Sequence, residues 1–248
     1  MRVATDWLTI GASIALLCGF GAAQQNAYYP PLPLTSIIDA VEKTQAQTSP
    51  RAPYQVIREY QLSGANNSKA DTDVVAEVDF RPPASKNYRI QNSSGSSRGQ
   101  QVVRRVLDNE VESASNGNQA RIALTRENYD FGYIGEVILD GQPCYLLGLK
   151  PKRKETSLIS GQVWVDPRSF TVRRIEGEVA KTPSWWLKKI YVKITFADLG
   201  GIWLPTKMEA AADVRVFGPH ILTSHVLDCR STSEVALIGP RRSSSSKP

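Results

Sequence analysis

Along most of the chain, apolar and polar positions alternate with a period of two. From Tyr54 to Leu62 the residues Tyr54, Val56, Tyr60 and Leu62 share one face, and Val74, Ala76, Val78 and Phe80 repeat the pattern before Tyr88 and Ile90 do so again. Such alternation describes strands with one dry and one wet face. It returns after residue 130: Ile134 to Leu139 and Cys144 to Leu149 flank Asp140-Gly141, the strongest short hairpin signal. Gln162 to Val165 and Phe170 to Ile175 flank Asp166-Pro167-Arg168-Ser169, a turn with proline in a favourable second place. Ile190 to Phe196, Leu204 to Val216 and Ile221 to Arg230 complete the strands, with a turn at Gly218-Pro219.

Two stretches break this period. Ile37, Ile38 and Val41 form a short helical stripe that Ser36, with Asp39 three residues on, is expected to cap, the helix ending near Gln47. Val103, Val106, Leu107 and Val111 recur at helical spacing and predict an amphipathic helix over 99–113, followed by a shorter one over 119–128. The order is therefore helix, three strands, two helices and about seven strands. About ten sequential antiparallel strands do not stay flat. The expected fold is mainly β with α: a curved antiparallel sheet forming an unclosed barrel, with helices covering its concave side.

The ends add location. Arg2, an apolar run from Leu8 to Phe20, and the small residues Gly21-Ala22-Ala23 have the layout of a secretory signal peptide over 1–23. A Pro-rich arm over 24–33, one domain over 34–235 and a basic, Ser-rich tail over 236–248 follow. This organisation predicts an exported protein of the periplasm. The net charge of +6 suits anionic lipid headgroups at a membrane surface and equally a plain basic exterior. An exported chain rarely meets nucleic acid, so none is expected as a partner.

Candidate chemistry is sparse. His220 and His225 lack the company that metal ligation needs, and no phosphate loop, dinucleotide fingerprint or nucleophile elbow is present. No metal, cofactor or enzymatic activity is expected. Cys144 and Cys229 remain after processing; an oxidising compartment permits a disulfide between them, and the sequence leaves that pairing open. The aromatic residues Phe131, Trp164, Trp185, Trp186, Trp203 and Phe217 are candidates either for plain core or for the lining and rim of an apolar hollow. Lys152, Arg153 and Lys154, together with Lys188 and Lys189 after the tryptophan pair, are candidates for headgroup contact or for solvated loop ends.

The segments Asn128-Tyr129-Asp130-Phe131, Gly161-Gln162-Val163-Trp164-Val165-Asp166, Pro183-Ser184-Trp185-Trp186-Leu187 and Gly201-Ile202-Trp203-Leu204-Pro205 occur in an order that resembles exported bacterial proteins of the outer-membrane lipoprotein-sorting, LolA/LolB-like superfamily. The resemblance covers roughly Pro53 to Arg230. It implies an unclosed barrel that holds lipid or lipoprotein acyl chains, a transient membrane-surface contact, and a Gram-negative type of envelope. The same superfamily implies a second reading, a non-enzymatic envelope interaction or stress-sensing module of the RseB type with envelope proteins as partners. An enzyme on the same scaffold is the remaining alternative.

Overall fold

The stripe of Ile37, Ile38 and Val41 becomes the buried side of helix α1 (Leu34–Thr48) in the computed structural model, which describes residues 32–50, 52–64, 70–114, 116–215 and 218–231. The expected signal peptide, most of the Pro-rich arm, Phe217 and the Ser-rich tail lie outside the described residues. Pro33 takes the N-cap position of α1 and no side chain caps it. Ser36 is therefore not the cap; it sits inside the first turn, where its own N–H donates to the Pro33 carbonyl.

Three strands follow: β1 (Tyr54–Gly64), β2 (Thr72–Arg81) and β3 (Ser85–Gly95). Helix α2 (Ser97–Ser113) begins two residues earlier than its apolar period suggests, because the Ser96 hydroxyl accepts a bond from the Gly99 N–H and caps it. The shorter α3 (Asn116–Ile122) ends well before residue 128. Seven strands complete the chain: β4 (Tyr129–Leu139), β5 (Gln142–Pro151), β6 (Ile159–Val165), β7 (Val172–Val179), β8 (Leu187–Asp198), β9 (Trp203–Val214) and β10 (Gly218–Ser231). Asp140 and Gly141 both have positive φ, as the two-residue β4–β5 hairpin requires. Phe170 also has positive φ, so the turn at Asp166 extends past it and β7 starts at Val172, two residues later than read.

All ten strands form one antiparallel sheet in the order β3-β2-β1-β10-β9-β8-β7-β6-β5-β4. The first and last strands are neighbours: β1 lies against β10, and this joins the two halves. The sheet does not close. Its free edges are β3 and β4, and α2 and α3 make the connection between those two edges.

Register defines the two faces. Ile175, Ile194, Met208, Ser224, Tyr60 and Val74 lie in one row across β7, β8, β9, β10, β1 and β2, and all point to the helical side. The neighbouring row, Trp164, Arg174, Thr195, Lys207, His225 and Glu59, points away from it. The inner face is apolar and the outer face is charged. α1 packs its Ile37 and Val41 on Tyr145, Leu147, Val163 and Val165 from β5 and β6. α2 packs Val103 and Leu107 on Tyr60, Val74, Ala76 and Val78 from β1 and β2. A third cluster, Tyr54, Val56, Phe80 and Leu204, closes one end of the sheet.

Candidate functional site

The inner face is the candidate site because its core is divided. Helix α1 covers one half of the sheet and α2 the other, and β8 and β9 run between them. Ile190, Ile194 and Ala212 point inward on those strands, yet they join none of the three buried clusters and are only half-buried. Met208 and Ala210 touch the α2 cluster from the same stripe and are half-buried too. Gly161 and Gly177 face each other on β6 and β7, and a Cβ on Gly161 would lie 2.6 Å from the Gly177 Cα, so only glycine allows that approach. The inner row continues from Gly177 through Val192 and Ala210 to Leu222.

One end of the strip is polar. Arg58 lies on the apolar parity of β1, buried between Tyr54, Val56 and Tyr60. Its guanidinium donates to the Pro205 carbonyl at 3.0 Å and sits 3.8 Å from the Glu110 carboxylate of α2, which also accepts from Lys86 at 2.8 Å. Burial alone would push the Glu110 carboxyl up; the charges of Lys86 and Arg58 outweigh it and hold that carboxyl below its ordinary range. Burial, with Glu110 nearby, raises the phenols of Tyr54 and Tyr60. This cluster fixes α2 to the sheet. It was visible in the sequence as two charges on apolar stripes: Arg58 in the parity of Tyr54, Val56 and Tyr60, and Glu110 three residues after Leu107.

The aromatic candidates are dispersed. Phe131 packs beneath α1 against the cluster of Tyr129 and Leu149. Trp203 is half-buried near the end of α1, and its indole N–H donates to the Val172 carbonyl at 2.9 Å. Trp164 lies on the outer face, where the Arg174 guanidinium stacks 5.9 Å from its ring centroid. Trp185 is 82% exposed on the β7–β8 loop, and Trp186 beside it is half-buried. Arg215 pins that loop, donating from its side chain to the Trp185 carbonyl and from its backbone to the Trp186 carbonyl.

The basic candidates are largely engaged. Lys152 donates to the Arg126 carbonyl at 2.6 Å and faces Asp130; Arg153 donates to Glu155 and to the Asn128 side chain, tying the β5–β6 loop to the start of β4. Lys188 pairs with Asp213 and Lys189 with Glu178, while Lys154 is exposed. Both cysteines are free thiols, Cys144 buried on β5 and Cys229 half-buried on β10, with β9, β8, β7 and β6 between their strands. Among the described residues, no helix is long and apolar enough to cross a membrane and no group of residues is arranged to hold a metal ion.

Fold and site together define an open antiparallel half-barrel whose inner face is lined by helices and left incompletely filled. No family model matches the chain, and no curated protein matches it. The chain is similar to several solved structures. A domain assigned to outer membrane lipoprotein sorting from Vibrio parahaemolyticus shares 14% identity over 79% of this chain and 92% of that one, with a TM-score of 0.42. A LolA superfamily protein from Nitrosomonas europaea shares 13% over 81% and 94%, with a TM-score of 0.39. A DUF1329 family protein from Desulfovibrio piger shares 15% over 81% and 94%, with a TM-score of 0.41.

Proposed function

We propose that this protein is an exported, non-enzymatic binder or carrier of lipid or lipoprotein acyl chains, held on the inner face of β8 and β9 between α1 and α2. The supporting observation is the divided core: Ile190, Ile194, Met208, Ala210 and Ala212 form an apolar strip that the helices leave half-covered. Each methylene buried there contributes about 0.8 kcal/mol, so a long chain gains on the order of 10 kcal/mol before ordering costs. Apolar shape suffices, and no catalytic group is needed. The test is titration of delipidated protein with a fluorescent fatty acid. Saturable uptake is expected, and Ala212→Trp, which fills the strip, should abolish it while the fold is kept. No uptake at micromolar protein, or uptake unchanged in Ala212→Trp, would sink the proposal.

One observation favours the envelope interaction module. The free edge β4 exposes Tyr133, Ile134 and Ile138, the last at 71%. Such an edge suits strand addition by an extended protein segment. A stoichiometric protein partner without extractable lipid would favour that reading over the carrier.

A further inference from the structure

One recess opens mainly on the outward face of the sheet. It is an open trough of about 1580 Å³ over β7 to β10, lined by the outward residues Arg174, Lys193, Lys207, Thr195, Thr223 and His225 together with Met208 and Ser224 of the inner row. The inner residues Ile194, Ala210 and Leu222 take no part in it. Its lining carries four cations, adding Arg230 to those named, against the two carboxylates Glu209 and Asp228.

The arrangement of partners leaves positive charge unspent. Asp228 is taken by Arg230 at 2.7 Å. Lys193 has a glutamate directly opposite on each side, Glu176 and Glu209, yet lies in an ion pair with neither; Glu176 instead accepts from the Tyr191 hydroxyl at 2.7 Å. Lys207 faces His225, whose ring bonds to Glu59 at 3.0 Å. Among the described residues, then, neither lysine has a carboxylate partner. Lys193 and Lys207 are diagonal neighbours across β8 and β9, roughly 7–8 Å apart at the backbone. Two like charges held at that distance repel each other unless an anion sits between them. The hydroxyls of Thr195 and Thr223 stand in the same rows as further donors.

We infer that this outer trough is an anion site for a phosphate group, with Lys193 and Lys207 as its charged clamp and Thr195 and Thr223 as donors. Two mobile ammonium groups and two hydroxyls suit a tetrahedral anion with several acceptor oxygens better than a planar carboxylate. These four residues stand on outward positions of their strands, opposite to Ile190, Ile194 and Ala212 of the acyl strip, and the inference does not depend on that strip. A free phosphate and the phosphate of a lipid headgroup present the same chemistry there.

The test compares the full chain with Lys193→Gln/Lys207→Gln and with a control of equal charge change at two exposed lysines, Lys43→Gln/Lys181→Gln. Inorganic phosphate is titrated by calorimetry at low salt, and vesicles of phosphatidylglycerol or phosphatidylcholine are used in flotation. Binding of phosphate, or of phosphatidylglycerol vesicles alone, should fall about tenfold or more in the trough variant and stay within about twofold in the control. Loss in the phosphate arm assigns the free anion, and loss in the vesicle arm only assigns the headgroup. Absence of binding in both arms, or equal loss in both variants, overturns the inference. Lys207→Gln alone, with a loss of about fivefold, decides the matter should the double variant not melt cooperatively.

Discussion

The guanidinium of buried Arg58 on β1 lies 3.8 Å from the carboxylate of half-buried Glu110 on α2, a charge pair that joins a helix to the inner face of the sheet. Removing Glu110 leaves the buried Arg58 without its carboxylate, so Glu110→Ala should cost about 3–5 kcal/mol, whereas Arg58→Ala leaves Glu110 paired with Lys86 and should cost less. The pH dependence follows from Glu110. Its carboxyl is held below the ordinary value of 4.5, so the stability it lends is complete above that value and fades as pH falls through the lower folded one. Urea unfolding at neutral pH and near pH ~3 checks this: the fall between them should be smaller in Glu110→Gln than in wild type. An equal fall in both would remove the ion pair from the account of α2 docking.

Gly99 sets a helix preference against a packing limit. Alanine would favour α2 by about 1 kcal/mol on propensity alone. Its Cβ, however, would lie 2.0 Å from the Thr72 Oγ1 and 2.8 Å from the Thr72 Cβ, both buried. Overpacking of this kind costs about 1–3 kcal/mol, so Gly99→Ala is expected to lower the melting temperature. Gly161→Ala should be worse, because its Cβ would meet backbone, the Glu176 carbonyl at 2.1 Å, which has no rotamer to yield. A higher melting temperature for Gly99→Ala would show that α2 sits further from β2.

The tryptophans separate by role. Trp203→Phe keeps an aromatic ring but leaves the Val172 carbonyl without its donor, and should cost about 1–3 kcal/mol in denaturant unfolding. Trp185→Ala, on an exposed loop, should stay within about 0.5 kcal/mol of wild type. Reversed magnitudes would contradict the placement of both indoles.

The two free edges differ in chemistry. β3 is polar throughout its exposed length, with Asn87, Arg89 and Gln91, whereas β4 exposes Tyr133, Ile134 and Ile138. Lysine on an edge blocks strand pairing between molecules. Ile138→Lys should therefore reduce light scattering on heating with little change in unfolding free energy. Scattering that is unchanged would exonerate β4.

The cysteines offer a direct check of the sheet order. Burial raises both thiols, most simply for Cys144 inside β5. In native protein, Ellman's reagent should reach Cys229 before Cys144, and unfolding without reductant should release both. A covalent link between them in the unfolded, unreduced chain would contradict their placement on separate strands.

The sequence by itself determined the elements, because alternation and helical spacing are local properties. Tyr54 to Leu62, the Asp140-Gly141 hairpin and the Val103–Leu107 stripe were legible without any partner, and the count of strands before and after the helices followed. Local signals are weaker at the ends of elements. The Ser96 cap, the Pro33 start of α1 and the left-handed Phe170 each depend on one backbone bond or one dihedral, which periodicity does not report. Only the tertiary structure decided which charges and aromatics meet. Arg58 and Glu110 lie 52 positions apart in the chain and become neighbours only when α2 is laid on β1. Trp164 and Phe131 look equivalent as aromatic residues in strands, yet register sends one outward beneath Arg174 and the other inward beneath α1. The divided inner core and the outer trough are likewise properties of strand order, since pairing β1 with β10 sets β8 and β9 between the two helices.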